Sequence, residues 1–145
     1  MGDKMKVYFI FDIKKEYINL YKDNERVLYN ILKQIYYLEK EDATYGYNLF
    51  NQLINKIEKD LLDRFIFLKL HQSIPYSKRD GIHYMNNLYK DEVSRLIVKN
   101  SYIKIEAEQD ISSFFDILGT YYQEFFVCNF KNQDYFFLSD IKTLV

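Results

Sequence analysis

The sequence predicts an α+β domain built on a mixed β-sheet, and three observations predict it. From Val7 to Ile13 the residues are apolar on both alternate faces, Val7, Phe9, Phe11 and Ile13 on one and Tyr8 and Ile10 on the other, broken by Asp12. That is the pattern of a central strand covered on both sides. Apolar residues then recur at helical spacing through the first half of the chain, and from Val93 the period shortens to two. The expected order is strand, three helices, an ambiguous segment, two strands, helix and two strands, in one domain over residues 1–145.

After Lys14 the pattern turns helical, and Tyr17 and Tyr21 fall at i and i+4 on one face of a short helix that leaves the strand directly. Asp23 and Asn24 offer a cap for a second helix from about Glu25 to Leu38, where Val27, Leu28, Ile31, Leu32, Ile35 and Leu38 recur. The charged run Glu39 to Asp42 closes it. A third helix is expected to bury Leu49, Phe50, Leu53, Ile54 and Ile57, with Asn48, Asn51, Gln52 and Asn55 forming an uncharged polar stripe opposite. In Leu61 to Leu70 the pattern reads as helix to about Asp63 and extended chain after it. Gln72 to Gly81, with the sole proline Pro75, reads as a loop.

In the second half, Ser94 to Val98 and Tyr102 to Ala107 flank Lys99-Asn100-Ser101 as a hairpin, Ile103 and Ile105 alternating with Lys104 and Glu106. Asp110 is placed to cap a helix from Ile111 to Tyr122. A second hairpin, Phe125 to Phe130 and Tyr135 to Leu138, turns at Lys131-Asn132-Gln133-Asp134.

Composition narrows the function. With 48% hydrophobic and 28% charged residues the chain is neither disordered nor membrane-spanning in character. Twenty Lys and Arg against 21 Asp and Glu leave a formal charge of -1, which gives no cationic footprint for duplex nucleic acid. One cysteine, Cys128, excludes an internal disulfide and suits a reducing compartment. The apolar run near the start is too short and too interrupted for a signal segment, Gly2 lacks the Ser or Thr that a myristoylation motif needs, and no stretch approaches roughly 18 uncharged apolar residues. A cytoplasmic protein is expected. The 15 Tyr and 12 Phe accompany an excess of Ile, Lys and Asn, a pattern that AT-rich coding produces without any function.

No spacing demands an enzyme. His71 and His83 lack metal-ligand spacing and read as surface or rim histidines. Cys128 sits in the apolar run Phe125-Phe126-Val127-Cys128, surroundings that raise a thiol pKa and leave it inert. Gly46, Gly81 and Gly119 belong to no phosphate-cradling loop. Asp91 and Glu92 are adjacent, and Glu106 and Glu108 share a strand face. Such a pair suits acid and base work, and equally the solvated side of a hairpin. Two rival readings stay open on the residues alone: a small enzyme using Glu106 and Glu108, and a single-strand nucleic-acid binder stacking bases on exposed tyrosines. Neither metal nor cofactor is implied.

The opening KVYFIFDIKKEYINLYKDNERVLYNIL resembles the start of the SirA family, sporulation inhibitors of replication. An aromatic strand there runs into a helix of the form Ile-Lys-x-Glu-aromatic-x-Asn-x-Tyr, matched by Ile13, Lys14, Glu16, Tyr17, Asn19 and Tyr21. RLIVKNSYIKIEAEQD, ISSFFDIL and EFFVCNFKNQDYFFL resemble the family's hairpin, helix and closing hairpin in order. The resemblance implies a non-enzymatic inhibitor, monomeric before binding, that docks on the N-terminal domain of the bacterial initiator DnaA. It assigns Tyr17 and Tyr21 to the contact, and from the amide stripe Gln52, with Asn48 and Asn51 as neighbours that a shifted alignment would select. Phenylalanine is typical of the family where Tyr17 stands, so this chain adds a hydroxyl to that contact.

Overall fold

The computed structural model describes residues 5–38, 40–109 and 112–141. Among these residues seven strands form one sheet: β1 (Lys6–Phe11), β2 (Tyr76–Arg79), β3 (Ile82–Asn87), β4 (Glu92–Val98), β5 (Ile103–Ala107), β6 (Phe126–Asn129) and β7 (Asp134–Phe137), in the order β2-β3-β4-β5-β1-β6-β7. The α+β class holds. Every strand pairing is antiparallel, which corrects the mixed sheet expected from the sequence. A parallel neighbour requires a crossover back to the adjacent position. The helices after β1 instead carry the chain to β2 at the far edge, and tight turns then build β2 through β5 one beside the next.

β1 occupies the interior of the sheet. Its Tyr8 pairs with Ile105 of β5, and its Ile10 pairs with Ile103 on that side and Val127 of β6 on the other. Among the described residues six α-helices flank the sheet: α1 (Lys15–Tyr21), α2 (Glu25–Tyr36), α3 (Ala43–Leu53), α4 (Lys59–Leu70), α5 (Phe114–Tyr121) and α6 (Leu138–Ile141). The two-faced pattern of β1 divides them into two layers. Tyr8 and Ile10 join Leu96, Ile105 and Val127 under Leu62 and Ile66 of α4 and Phe114 and Leu118 of α5. Phe11 and the following Ile13 join Phe126 and Cys128 under Ile18 of α1, Leu28 and Leu32 of α2 and Leu53 of α3.

Helix ends are where the sequence reading needs correction. α4 runs unbroken to Leu70, so the extended chain expected after Asp63 is helix; Leu62, Ile66 and the half-buried Leu70 keep one side of it on the sheet. The loop expected from Gln72 to Gly81 contains β2, and β3 follows unannounced across a turn at Asp80 and Gly81, whose φ values of 53° and 78° suit the left-handed region. α3 stops at Leu53: Ile54 is extended and bridges Ile13, so Ile54 and Ile57 are buried as loop residues rather than on a helical stripe. Asn24 stands at the N-cap of α2 without a side-chain bond to the helix. Asp110 and Ile111, expected to open α5, lie outside the described residues. α5 is instead entered through Ser112, whose Oγ accepts from the Phe114 N–H at 3.1 Å.

Candidate functional site

α1 hangs from the central strand by a short, fixed root. Past Phe11 the chain stays extended: the Asp12 carbonyl accepts from the Asn55 N–H at 2.7 Å, and the Lys14 N–H donates to the Leu53 carbonyl at 2.8 Å. These bonds and the Ile13 to Ile54 bridge lash the start of α1 to the end of α3. The Asn55 amide also donates to the Asp12 carboxylate at 3.2 Å, easing an oxygen whose pKa burial raises. Asn55 therefore serves the root of the helix, and it lies beyond α3 rather than on the expected stripe. Lys14, extended at ψ 141°, then turns the chain, its carbonyl accepting from Tyr17 and Ile18 N–H groups at 2.9 and 3.0 Å.

Along α1 only Ile18 is buried, at 1% exposed. Tyr17 and Tyr21 are half-buried, each packing part of its ring against the cluster of Phe11, Ile13 and Leu28 and leaving the rest in water. Leu20 is 65% exposed. An ion pair from Lys15 Nζ to Glu124 Oε1, 3.1 Å, spans from the first turn to the segment before β6. On α3, Asn48 and Gln52 are exposed and Asn51 is half-buried. The root bonds bring Gln52 close to the start of α1 along the backbone; no hydrogen bond joins it to Tyr17 or Tyr21 among the described residues.

Between α2, α3 and the sheet lies an apolar groove of about 330 Å³ floored by Phe9, Phe11, Tyr102 and Phe130 and walled by Ile35 and Phe50. Gly46 of α3 faces Leu38, just past the end of α2, and a side chain there would have to displace Leu38 Cδ1. The remaining candidates fall elsewhere. Arg95 grips Glu106 in a two-point contact, Nε to Oε1 at 2.9 Å and Nη2 to Oε2 at 3.1 Å. Glu106 is thereby held as an ion-pair partner, while Glu108 is exposed beyond the end of β5. Burial pushes the Cys128 thiol well above its ordinary pKa, as its apolar strand implies. His71 is exposed, its ring stacked on Phe67 at the end of α4. No three His, Cys, Asp or Glu converge as metal ligands among the described residues.

His83 corrects the sequence reading outright: it is 0% exposed, not on the rim. Its Nε2 lies 2.7 Å from Asp63 Oδ1 on α4 and its Nδ1 lies 2.7 Å from the Tyr76 hydroxyl on β2. Lys59 Nζ pairs with the other oxygen of Asp63 at 2.7 Å. The carboxylate requires a proton on Nε2, so Nδ1 accepts from Tyr76, whose pKa is pushed up to about 12 by burial and by the Asp63 charge. The acid Glu92, legible in the sequence only as a neighbour of Asp91, is buried as well. Glu92 Oε2 accepts from Ser94 Oγ, Ser113 Oγ and the Ser113 N–H at 2.8–2.9 Å, seating a negative charge at the start of α5. Both are built from residues far apart in the chain, and no local spacing announces them.

The family model described as sporulation inhibitor of replication protein SirA matches residues 6–142, from the first strand to the last helix. The chain belongs to the SirA family. No curated protein matches it. Membership in SirA makes the chain one of a family of sporulation inhibitors of replication, a regulatory role. No helix among the described residues is long and apolar enough to cross a membrane.

Proposed function

We propose that this SirA-family chain acts as one domain in the cytoplasm, as a non-enzymatic inhibitor that binds the N-terminal domain of the initiator DnaA on entry into sporulation. Occlusion of a partner surface needs a complementary patch and no chemistry. The observation that carries the reading is the mounting of α1: a single buried anchor, Ile18, holds a helix whose Tyr17 and Tyr21 each keep part of a ring in water. Half-buried aromatic rings on a fixed support are favourable interface anchors, because little conformational freedom is lost when a partner covers them. Gln52, exposed beside the root of α1, supplies an amide at the margin without the desolvation cost of a charge. The two-point grip of Arg95 on Glu106 supports the non-enzymatic reading over acid and base work there.

Mixing the purified chain with a DnaA N-terminal domain is expected to give a co-eluting complex. Tyr17→Ala and Tyr21→Ala are each expected to weaken it by on the order of 2 kcal/mol, with the far-ultraviolet circular dichroism unchanged. Gln52→Ala should weaken it less. Full affinity in both tyrosine variants would remove α1 from the contact, and absence of any complex with the parent chain would overturn the reading.

A further inference from the structure

Given the reading of α1 as the initiator-binding helix, on which this rests, we infer that Asp12 is a positioning residue for it: the Asp12 carboxylate, by holding the Asn55 side chain, fixes the direction in which α1 leaves the sheet. Residue 12 continues the strand face of Tyr8 and Ile10, both buried, so packing alone calls for an apolar side chain there. A half-buried carboxylate stands in its place. Burial raises its pKa, and the Asn55 amide at 3.2 Å is the group that opposes the rise. Tyr121 and Tyr122 stand close by, their phenol pKa values raised by burial and then by nearby carboxylates that include Asp12. The ionised form is thus less favourable in the folded chain than in the unfolded one, a penalty present above the folded pKa and lost on acidification. An acid kept where it does not serve stability points to a use at the place where it stands, and that place is the root of α1.

The entry of α1 is what aims it. A helix of seven residues is too short to persist alone, it buries the single side chain Ile18, and no side chain caps its start. One anchor leaves such a helix free to swing. Asn55 removes that freedom with two bonds to Asp12, its N–H to the carbonyl at 2.7 Å and its amide to the carboxylate at 3.2 Å, just before Lys14 turns the chain. The ion pair from Lys15 to Glu124 is too solvated to replace them, its lysine side chain being 71% exposed. Asn55 also follows directly on Ile54, which bridges Ile13, so the clamp sets Tyr17 and Tyr21 relative to Gln52 at the end of α3. A partner then meets groups already in place, and less ordering entropy is lost on binding.

Calorimetric binding to the DnaA N-terminal domain, together with amide hydrogen exchange in the free chain, tests this with Asp12→Ala, Asn55→Ala, their double variant and Asp12→Asn. Each alanine variant is expected to weaken affinity about fivefold and to speed exchange of the α1 amides by a similar factor, while melting no lower than the parent. The double variant should lose no more than either single one, because both remove the same bond. Asp12→Asn keeps an oxygen that accepts from Asn55, and is expected to recover most of the affinity. If the parent binds and Asp12→Ala stays within about twofold of it, or leaves α1 exchange unchanged, the inference is overturned while the α1 reading survives. A melting temperature that falls in step with affinity also overturns it, by making Asp12 an ordinary support of the fold. Additive losses overturn it as well, by placing Asp12 against the partner rather than against Asn55. A parent chain that does not bind, or tyrosine variants that bind fully, would overturn the α1 reading and this inference with it.

Discussion

Replacing Asp63 with alanine tests whether the buried Asp63, His83 and Tyr76 chain holds α4 to the sheet. In the parent, His83 has no access to water and donates its Nε2 proton to Asp63 at 2.7 Å. Alanine leaves that donor buried with nothing to accept it, a loss of about 1–3 kcal/mol. The Lys59 pair, with its lysine partly in water, adds less than about 1 kcal/mol. A total near 2–3 kcal/mol lowers the melting temperature of a chain this size by roughly 5–10 °C. The effect of pH has a definite sign. Burial lowers the His83 pKa below its ordinary 6.5, and Asp63 opposes that shift through its hydrogen bond and charge. The stability that comes from keeping His83 neutral is therefore full above about pH 6.5 and declines as pH falls through that value toward the lower folded-state pKa. Without Asp63 the folded pKa drops further, so Asp63→Ala should lose stability on acidification more steeply than the parent. Urea titrations of both proteins at pH 7.5, 6.5 and 5.5 measure this. Equal stability at pH 7.5 with parallel pH profiles would refute the role given to the chain.

Two further expectations follow from buried groups. Glu92→Ala strips the acceptor from Ser94, Ser113 and the first turn of α5, and is expected to cost about 2–4 kcal/mol by chemical denaturation, with Glu92→Gln costing less. Cys128, buried and with its thiol pKa raised, should react with a disulfide reagent only at the rate of unfolding, so labelling should accelerate with urea and stay negligible in the folded protein; rapid native labelling would contradict its placement.

Legibility in the sequence followed the range of the interactions. The two-faced run from Val7, the short helix after Lys14 and both late hairpins were readable because period and turn residues act locally. α4 was misread because its apolar residues point two ways: Leu62 and Ile66 inward, Phe67 and Leu68 outward, which blurs a helical period into a strand-like run. β3 was missed because Ile82 to Asn87 alternates around a histidine, and a buried histidine announces itself only once Asp63 and Tyr76 converge on it. At the candidate site, Tyr17, Tyr21 and Gln52 could be named from a family pattern. The root that fixes them could not, since Lys14 to Leu53 and Asp12 to Asn55 are bonds between backbones some forty residues apart.

The placement of β1 ties the timing of activity to synthesis. Its two neighbours, β5 and β6, come from residues 103–107 and 126–129, so β1 is synthesised long before either of its flanks can be filled. Until then α1 and the end of α3, lashed together by their root bonds, hang from a strand with neither flank paired. A chain cut short before β6 would carry the same tyrosines yet present them from a strand that lacks one of its two neighbours. Inhibition should consequently appear only once β6 is made, and products cut short of it should be silent rather than weakly active.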